Sequence, residues 1–374
     1  MKSGPINLRE TFELFRFYRP DVGLKRLLQD TEIASMNVRQ IYHAVHDRPP
    51  DARAIATAQN GHNAMETFMA ALCSLEFQEN IITHFLKAFP EKRRLFFVHI
   101  PKTAGVSTAT RLISRFPSLN TNLLDRTLTP TREELFLAIK HVILEMAGSD
   151  TIFISGHTSL GMYQKWAGNG IRFQDRVFTV VREPMARIVS QINYVLTRIF
   201  SEAETPQPDT IGWRRTFDVL DLHSHRDRSA VLRLAWEILR NPGVTTPDVL
   251  CKFIGEGDYE SAVTKTVAHG LEVVDMDRLD LWSEQQWGAS EADKLNVSWK
   301  FVSLADFPPG ELEYARSIVA NDLRYYERVL DAMDRLQRPS IRGDEILLAC
   351  DGAPTPRAYG QLYLDHEMVQ SCAS

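Results

Sequence analysis

The chain has 374 residues, 44% of them hydrophobic and 24% charged, with a formal net charge of −5. This composition gives a globular core with room for two domains. It excludes a global basic field for nucleic acid or acidic lipid, so any anion site must be a local pocket.

Residues 1–93 read as a helical domain or extension. RETFELFRFY, VGLKRLLQD, NVRQIYHAVHD and NAMETFMAALCSLEFQENIITHFLKAF repeat apolar residues at spacings of three and four, punctuated by Pro20, Pro49-Pro50 and Gly61. From Arg94 to residue 337, strands alternate with helices. LFFVHI (95–100) is the first strand, followed by a helix at about 107–116, and REELFLAIKHVILEMAG (132–148) is an amphipathic helix. TIFISG (151–156) is a second strand, and RVFTVV (176–181) is a third, with a helix running on to about Phe200. This alternation predicts an α/β fold, a parallel sheet with crossover helices. SEAETPQPDT (201–210) is a polar loop in a mostly helical stretch to residue 270, in which SAVLRLAWEILRNPG is a clear helix. LEVVDMDRLDLW holds a further strand and helix, and one long amphipathic helix follows Pro308-Pro309-Gly310. Residues 338–374 form a Gly- and Pro-rich tail.

The four cysteines, Cys73, Cys251, Cys350 and Cys372, show neither C-x-x-C nor metal-ligand spacing, which reads as reduced thiols of a cytoplasmic protein. No run reaches the about 18–20 apolar residues of a membrane span. The N-terminus MKSGPINLRETFELF has no signal-peptide core.

Ligands of parallel sheets bind at the carboxyl ends of strands, where three candidate segments begin: at Pro101, at His157 and at Arg182. LFFVHIPKTAGVS is a strand, a tight loop and a helix start. Such a loop aims backbone N–H groups, a lysine and hydroxyls at one spot, which suits phosphate. It is not the G-x-x-x-x-G-K-[ST] loop, and an ordinary βα turn is the alternative. In RVFTVVREPMARIVSQINY, Arg182 leaves a strand end and Pro184 opens a helix. Arg187, Ser190 and Asn193 follow near helical spacing. Arg182 and Ser190 can grip one anion together; a solvated arginine at an exposed junction is the alternative.

Together these segments resemble the sulfotransferase family, in particular its membrane-type and bacterial glycan branch. HIPKTAGVS resembles the family's 5'-phosphosulfate loop and VVREPMARIVSQINY its 3'-phosphate motif. ARSIVANDLRYYERVL resembles its closing helix, with Asn321, Asp322 and Tyr326 in order, and KLNVS (294–298) resembles a further segment. The resemblance covers about residues 94–332. It implies a P-loop-like fold and transfer of a sulfuryl group from 3'-phosphoadenosine-5'-phosphosulfate to an acceptor hydroxyl, on a carbohydrate or glycolipid. Lys102 matches the lysine at the 5'-phosphate and bridging oxygen. Thr103, Gly105, Ser107 and Thr108 match donor positions in a loop completed by Pro101, Ala104 and Val106; a threonine is usual at Val106. Arg182 and Ser190 match the pair on the 3'-phosphate. Arg187 either contributes or ion-pairs on its helix.

His157, 55 positions after Lys102, matches the family's base histidine. Glu183 is a lesser alternative, and His99 reads as a structural histidine. Charge is supplied by lysine and arginine, so no metal is required, and the H-x-H of His223 and His225 is a poor metal site. Acceptor contacts are expected from residues 201–270 and the N-terminal helices. Tyr163, Trp166 and Trp213 either stack on sugar or pack. Animal glycan enzymes of this family carry a Golgi membrane anchor and none is visible here, which reads either as a truncated sequence or, the favoured reading, as a soluble bacterial enzyme. IYHAVHDRPPD with the later SLEF resembles a short helical module found beside enzymes of bacterial surface polysaccharides, with His46-Asp47 where an apolar-Gly pair is usual; a plain helical bundle is the alternative. Two further readings stand: a nucleotide-dependent phosphotransferase, and a non-catalytic nucleotide- or glycan-binding protein, to which Val106 points.

Overall fold

The computed structural model describes residues 34–46, 48–59, 63–72, 76, 83, 86, 90–113, 115–116, 118–120, 149–167, 175–200, 208–217, 227–288 and 299–347. The expected helices RETFELFRFY, VGLKRLLQD and REELFLAIKHVILEMAG, the KLNVS segment and most of the SEAETPQPDT loop lie outside these residues. So do His223, His225, Cys73, Cys350 and Cys372. The chain is α/β, with a mostly parallel sheet in the order β2-β3-β1-β4-β5-β6. It divides into two compact units: Met1–Pro101, Gly105–Val177 and Ala203–Ile211 form one, and Lys102–Ala104, Phe178–Glu202 and Gly212–Ser374 form the other.

Among the described residues, the first unit opens with α1 (Val38–His46), α2 (Ala52–Gln59) and α3 (Ala64–Leu72). Side chains set their starts. Asn37 and Gln40 exchange bonds of 2.8 and 3.0 Å, and Asn63 and Glu66 do the same at 3.0 and 2.9 Å. Each pair satisfies backbone N–H groups that a helix leaves unmatched. Asp51 accepts from Ala54 N at 2.8 Å. Arg48 grips Glu76 with two bonds of 2.6 Å, and its guanidinium lies 5.5 Å from the Tyr42 ring centre. Tyr42, Arg48 and Glu76, matched residues of the module-like segment, thus bind one another.

Next come β1 (Arg93–Val98), α4 (Gly105–Ile113), β2 (Ser118–Asn120), β3 (Thr151–Gly156) and α5 (Leu160–Ala167). β1 and β3 pair in parallel from Arg93↔Thr151 to Val98↔Gly156, and β2 pairs with β3 on its other side. Every residue of β1 and β3 after the first is buried. That is why these strands read as continuous apolar runs and not as alternation. The first strand was expected to run to Ile100. It stops at Val98, whose register partner Gly156 is the last residue of β3, and the next carbonyl, of His99, is engaged by the His157 ring.

In the second unit, the Phe178–Val181 part of β4 (Arg176–Val181) pairs in parallel with β5 (Glu272–Asp275), and the short β6 (Ser340–Ile341) closes antiparallel on β5. Its described helices are α6 (Pro184–Phe200), the Gly212–Thr216 part of α7 (Pro208–Thr216), α8 (Arg228–Arg240), α9 (Val249–Ile254), α10 (Tyr259–Ala268), α11 (Leu279–Trp287), α12 (Pro309–Ser317) and α13 (Ala320–Leu336). The apolar face of α6 (Ile188, Ile192, Val195, Leu196, Ile199) packs with α8 and with Val302, Phe307, Ala315 and Val319 in one core. The single closing helix expected after Pro308 is two. Asp248 lies outside them in sequence, yet its N donates to Ile318 O at 2.9 Å and its carboxylate accepts from Asn321 N at 3.0 Å and Asp322 N at 3.2 Å. It caps α13 from a distance and ends α12 there. Among the described residues, no helix is long and apolar enough to cross a membrane.

Candidate anion-binding site

Within the second unit, the loop and the end of β4 converge on the side of α6. Lys102 and Ala104 have φ of 69° and 58°. Side-chain-bearing residues in the left-handed region cost about 1–3 kcal/mol each and persist where the surroundings hold them. Arg182 supplies one such hold: its Nη1 donates to Lys102 O at 3.4 Å. Tyr194 supplies another: the Lys102 ammonium lies 3.5 Å from the centre of its ring. The Arg198 guanidinium lies 5.6 Å from the same ring, and its Nε donates to Tyr194 Oη at 3.4 Å.

The electrostatics are those of cations held together. Burial pushes the Lys102 ammonium down to about 8, with further lowering by Arg182 and Arg198. Burial also lowers Arg182, against the pull of Asp277 and Glu183. Arg187 is 3% exposed and is lowered by burial, against Asp322 and Asp248, with Arg182 adding to the repulsion. Arg182 Nε and Arg187 Nε and Nη2 are buried without a hydrogen-bond partner among the described residues. Buried donors of this kind carry a desolvation cost that an anion would offset.

Of the residues expected at the site, Lys102 and Arg182 are therefore brought together. Arg187 joins them electrostatically, and the carboxylates that act on it come from Asp322 and Asp248, not from its own helix. Ser190 is half-buried on α6. Tyr194 and Arg198 were not anticipated. The signal was present: Arg187, Ser190, Tyr194 and Arg198 follow at steps of three, four and four, one stripe of a helix. Asn193 lies off that stripe and has a structural task. It donates to Val302 O at 2.9 Å and accepts from Phe301 N and Val302 N at 2.8 and 2.9 Å. Glu183, the alternative base, caps α6 by accepting from Met185 N and Ala186 N. Trp213 is half-buried and meets Tyr194 edge-on at 5.9 Å.

The closing-helix residues act as braces. Asp322 accepts from Leu250 N at 3.1 Å and Cys251 N at 2.9 Å, capping α9. Asn321 Nδ2 donates to Asp248 at 3.0 Å, and Tyr326 Oη donates to Asp275 at 3.1 Å.

In the first unit, His157 is exposed just past β3. Its Nδ1 lies 3.2 Å from His99 O. A carbonyl only accepts, so Nδ1 carries the proton and the basic lone pair is on Nε2. His99 is buried, and its ring stacks with Phe97 at 5.4 Å and with His157 at 4.2 Å between ring centres. Gly105 makes room for it: a Cβ there would lie 1.7 Å from His99 Nε2. Pro101 and Ser107 are half-buried, as is Ala104 of the second unit's loop, while Thr103 and Thr108 are buried. Val106, where the family usually has a threonine, is 43% exposed. Tyr163 and Trp166 do not offer sugar platforms. Both are buried against Phe96, at 4.0 and 6.4 Å between ring centres.

Among the described residues, no group of three or more His, Cys, Asp or Glu side chains is arranged to hold a metal ion. No family model matches the chain, and no curated protein matches it in sequence.

Proposed function

We propose that this chain is a sulfotransferase of P-loop-like fold that moves the sulfuryl group of 3'-phosphoadenosine-5'-phosphosulfate to a hydroxyl of a carbohydrate or glycolipid. The observation that carries the reading is the meeting of Lys102 and Arg182, through the 3.4 Å bond from Nη1 to the Lys102 carbonyl, beside buried guanidinium donors without partners. Two segments 80 residues apart, each resembling one half of a bisphosphate grip, are thereby in contact. An ATP-type ligand would give the Arg182 end no phosphate to bind.

In this reading Arg182 and Ser190 take the 3'-phosphate, and Lys102 takes the 5'-phosphate at its bridging oxygen. The acceptor oxygen forms its bond to sulfur as the bond from sulfur to the bridging oxygen breaks. The departing bisphosphate keeps that electron pair, and Lys102 stabilises the charge; fixed donors of this kind contribute about 3–4 kcal/mol to lowering the barrier. The acceptor proton needs a base, and the family resemblance gives that role to His157, whose Nε2 is the nitrogen left basic by the bond to His99 O. Thermal-shift titration tests the donor site. 3'-Phosphoadenosine-5'-phosphate should raise the melting temperature far more than ADP, and Arg182→Ala should remove the difference. Equal shifts in the unmodified protein refute the assignment.

A further inference from the structure

We infer that Tyr194 is a positioning residue for Lys102, holding the ammonium over its ring so that the anion site is assembled before any ligand arrives. The inference deepens the reading of Lys102 as an anion-binding group and rests on it only for the ligand.

The geometry fixes the lysine at three points. Its backbone adopts φ of 69°, its carbonyl accepts from Arg182 at 3.4 Å, and its Nζ lies 3.5 Å from the Tyr194 ring centre. A lysine side chain loses much rotamer freedom when fixed, and a residue that fixes it beforehand spares the ligand that cost. The ring also answers an electrostatic problem. Lys102 is partly buried and faces Arg182 at the end of β4 and Arg198 on α6, both cationic. The negative face of an aromatic ring attracts a cation without carrying a formal charge. A carboxylate in the same place would neutralise the lysine and compete with an incoming phosphate; a tyrosine ring does neither. Tyr194 is itself fixed, by the Arg198 bond at 3.4 Å to its hydroxyl and by the Trp213 edge at 5.9 Å.

The test compares Tyr194→Leu with Tyr194→Phe, which keeps the ring face and drops the hydroxyl. Competitive acetylation across pH, read at Lys102 by peptide mass spectrometry, gives the lysine's titration directly and needs no ligand. Tyr194→Leu should lower the Lys102 midpoint by about half a pK unit to one and a half, and Tyr194→Phe should leave it close to the unmodified value. In parallel, Tyr194→Leu should weaken 3'-phosphoadenosine-5'-phosphate binding by about two- to thirtyfold, with Tyr194→Phe restoring it. An unmoved Lys102 midpoint in a folded Tyr194→Leu protein overturns the inference. If the unmodified protein does not bind the bisphosphate, the sulfotransferase reading fails, and the acetylation profile still decides the role of Tyr194.

Discussion

Bisphosphate binding should draw a proton onto the protein above neutral pH, and Lys102 should be its destination. With its ammonium pushed down to about 8, Lys102 is protonated to about nine-tenths at pH 7, one-half at pH 8 and one-tenth at pH 9. A phosphate dianion beside it restores the charged form. Proton uptake on binding should therefore be near zero at pH 7, about 0.5 at pH 8 and about 0.9 at pH 9, and apparent affinity should fall about tenfold from pH 7 to pH 9. The sign for stability follows from the same linkage. The folded value lies below that of the unfolded chain, so between about 8 and 10.4 the unfolded state holds more protons. The ligand-free protein should gain stability from this group as pH rises through that window, and the complex should not. Isothermal titration calorimetry in buffers of different ionisation enthalpy measures the uptake, since the phosphates of the ligand titrate below this range. Lys102→Met should abolish it. No uptake at pH 8 to 9, or the same uptake in Lys102→Met, would refute the placement of the anion at this lysine.

Two further outcomes are expected. His157→Ala should lower sulfuryl transfer by about 10²–10⁴-fold while leaving bisphosphate affinity within about twofold, measured as initial rate and by calorimetry; retained turnover would move the base role to another group. Gly105→Ala should cost about 1–3 kcal/mol or more in chemical denaturation, because the new methyl would lie 1.7 Å from the buried His99 ring. An unchanged midpoint would show that the ring is not fixed where it stacks on His157.

The parts of the fold that were legible are those set by local pattern. β1, β3 and β4 are short, mostly apolar runs because all but their first residues are buried, and α6 and α8 carry apolar residues at helical steps. What escaped depends on distant partners. The break between α12 and α13 follows from Asp248, more than 60 residues upstream, whose carboxylate caps the second helix. β6 is two residues long and exists through its pairing with Val273 and Val274; no two-residue pattern could announce it. At the site, Lys102 was legible as part of a loop after β1 and Arg182 as the residue directly after β4, both in segments that resemble a known motif. Tyr194 and Arg198 were passed over because an aromatic and a basic residue late in an amphipathic helix look like ordinary packing and solvation. Only the meeting of Lys102 with the ring, at 3.5 Å, separates the two cases.

A chain of net charge −5 thus brings Lys102, Arg182, Arg187 and Arg198 within electrostatic reach of one another. Acids act on two of the arginines. Asp277 and Glu183 act on Arg182, and Asp322 and Asp248 act on Arg187. Those two carboxylates also hold the helix ends of α9 and α13, so their positions are fixed by backbone bonds and not by the arginine. Arg187 is thus kept charged in a buried place by groups that do not occupy its unpartnered nitrogens. Lys102 differs: the charges that lower it are both cationic. Opposition to the positive field therefore weakens from Arg187 toward Lys102. On the proposed reading, an entering anion should gain most at the lysine end, where the compensation has been left to an uncharged ring.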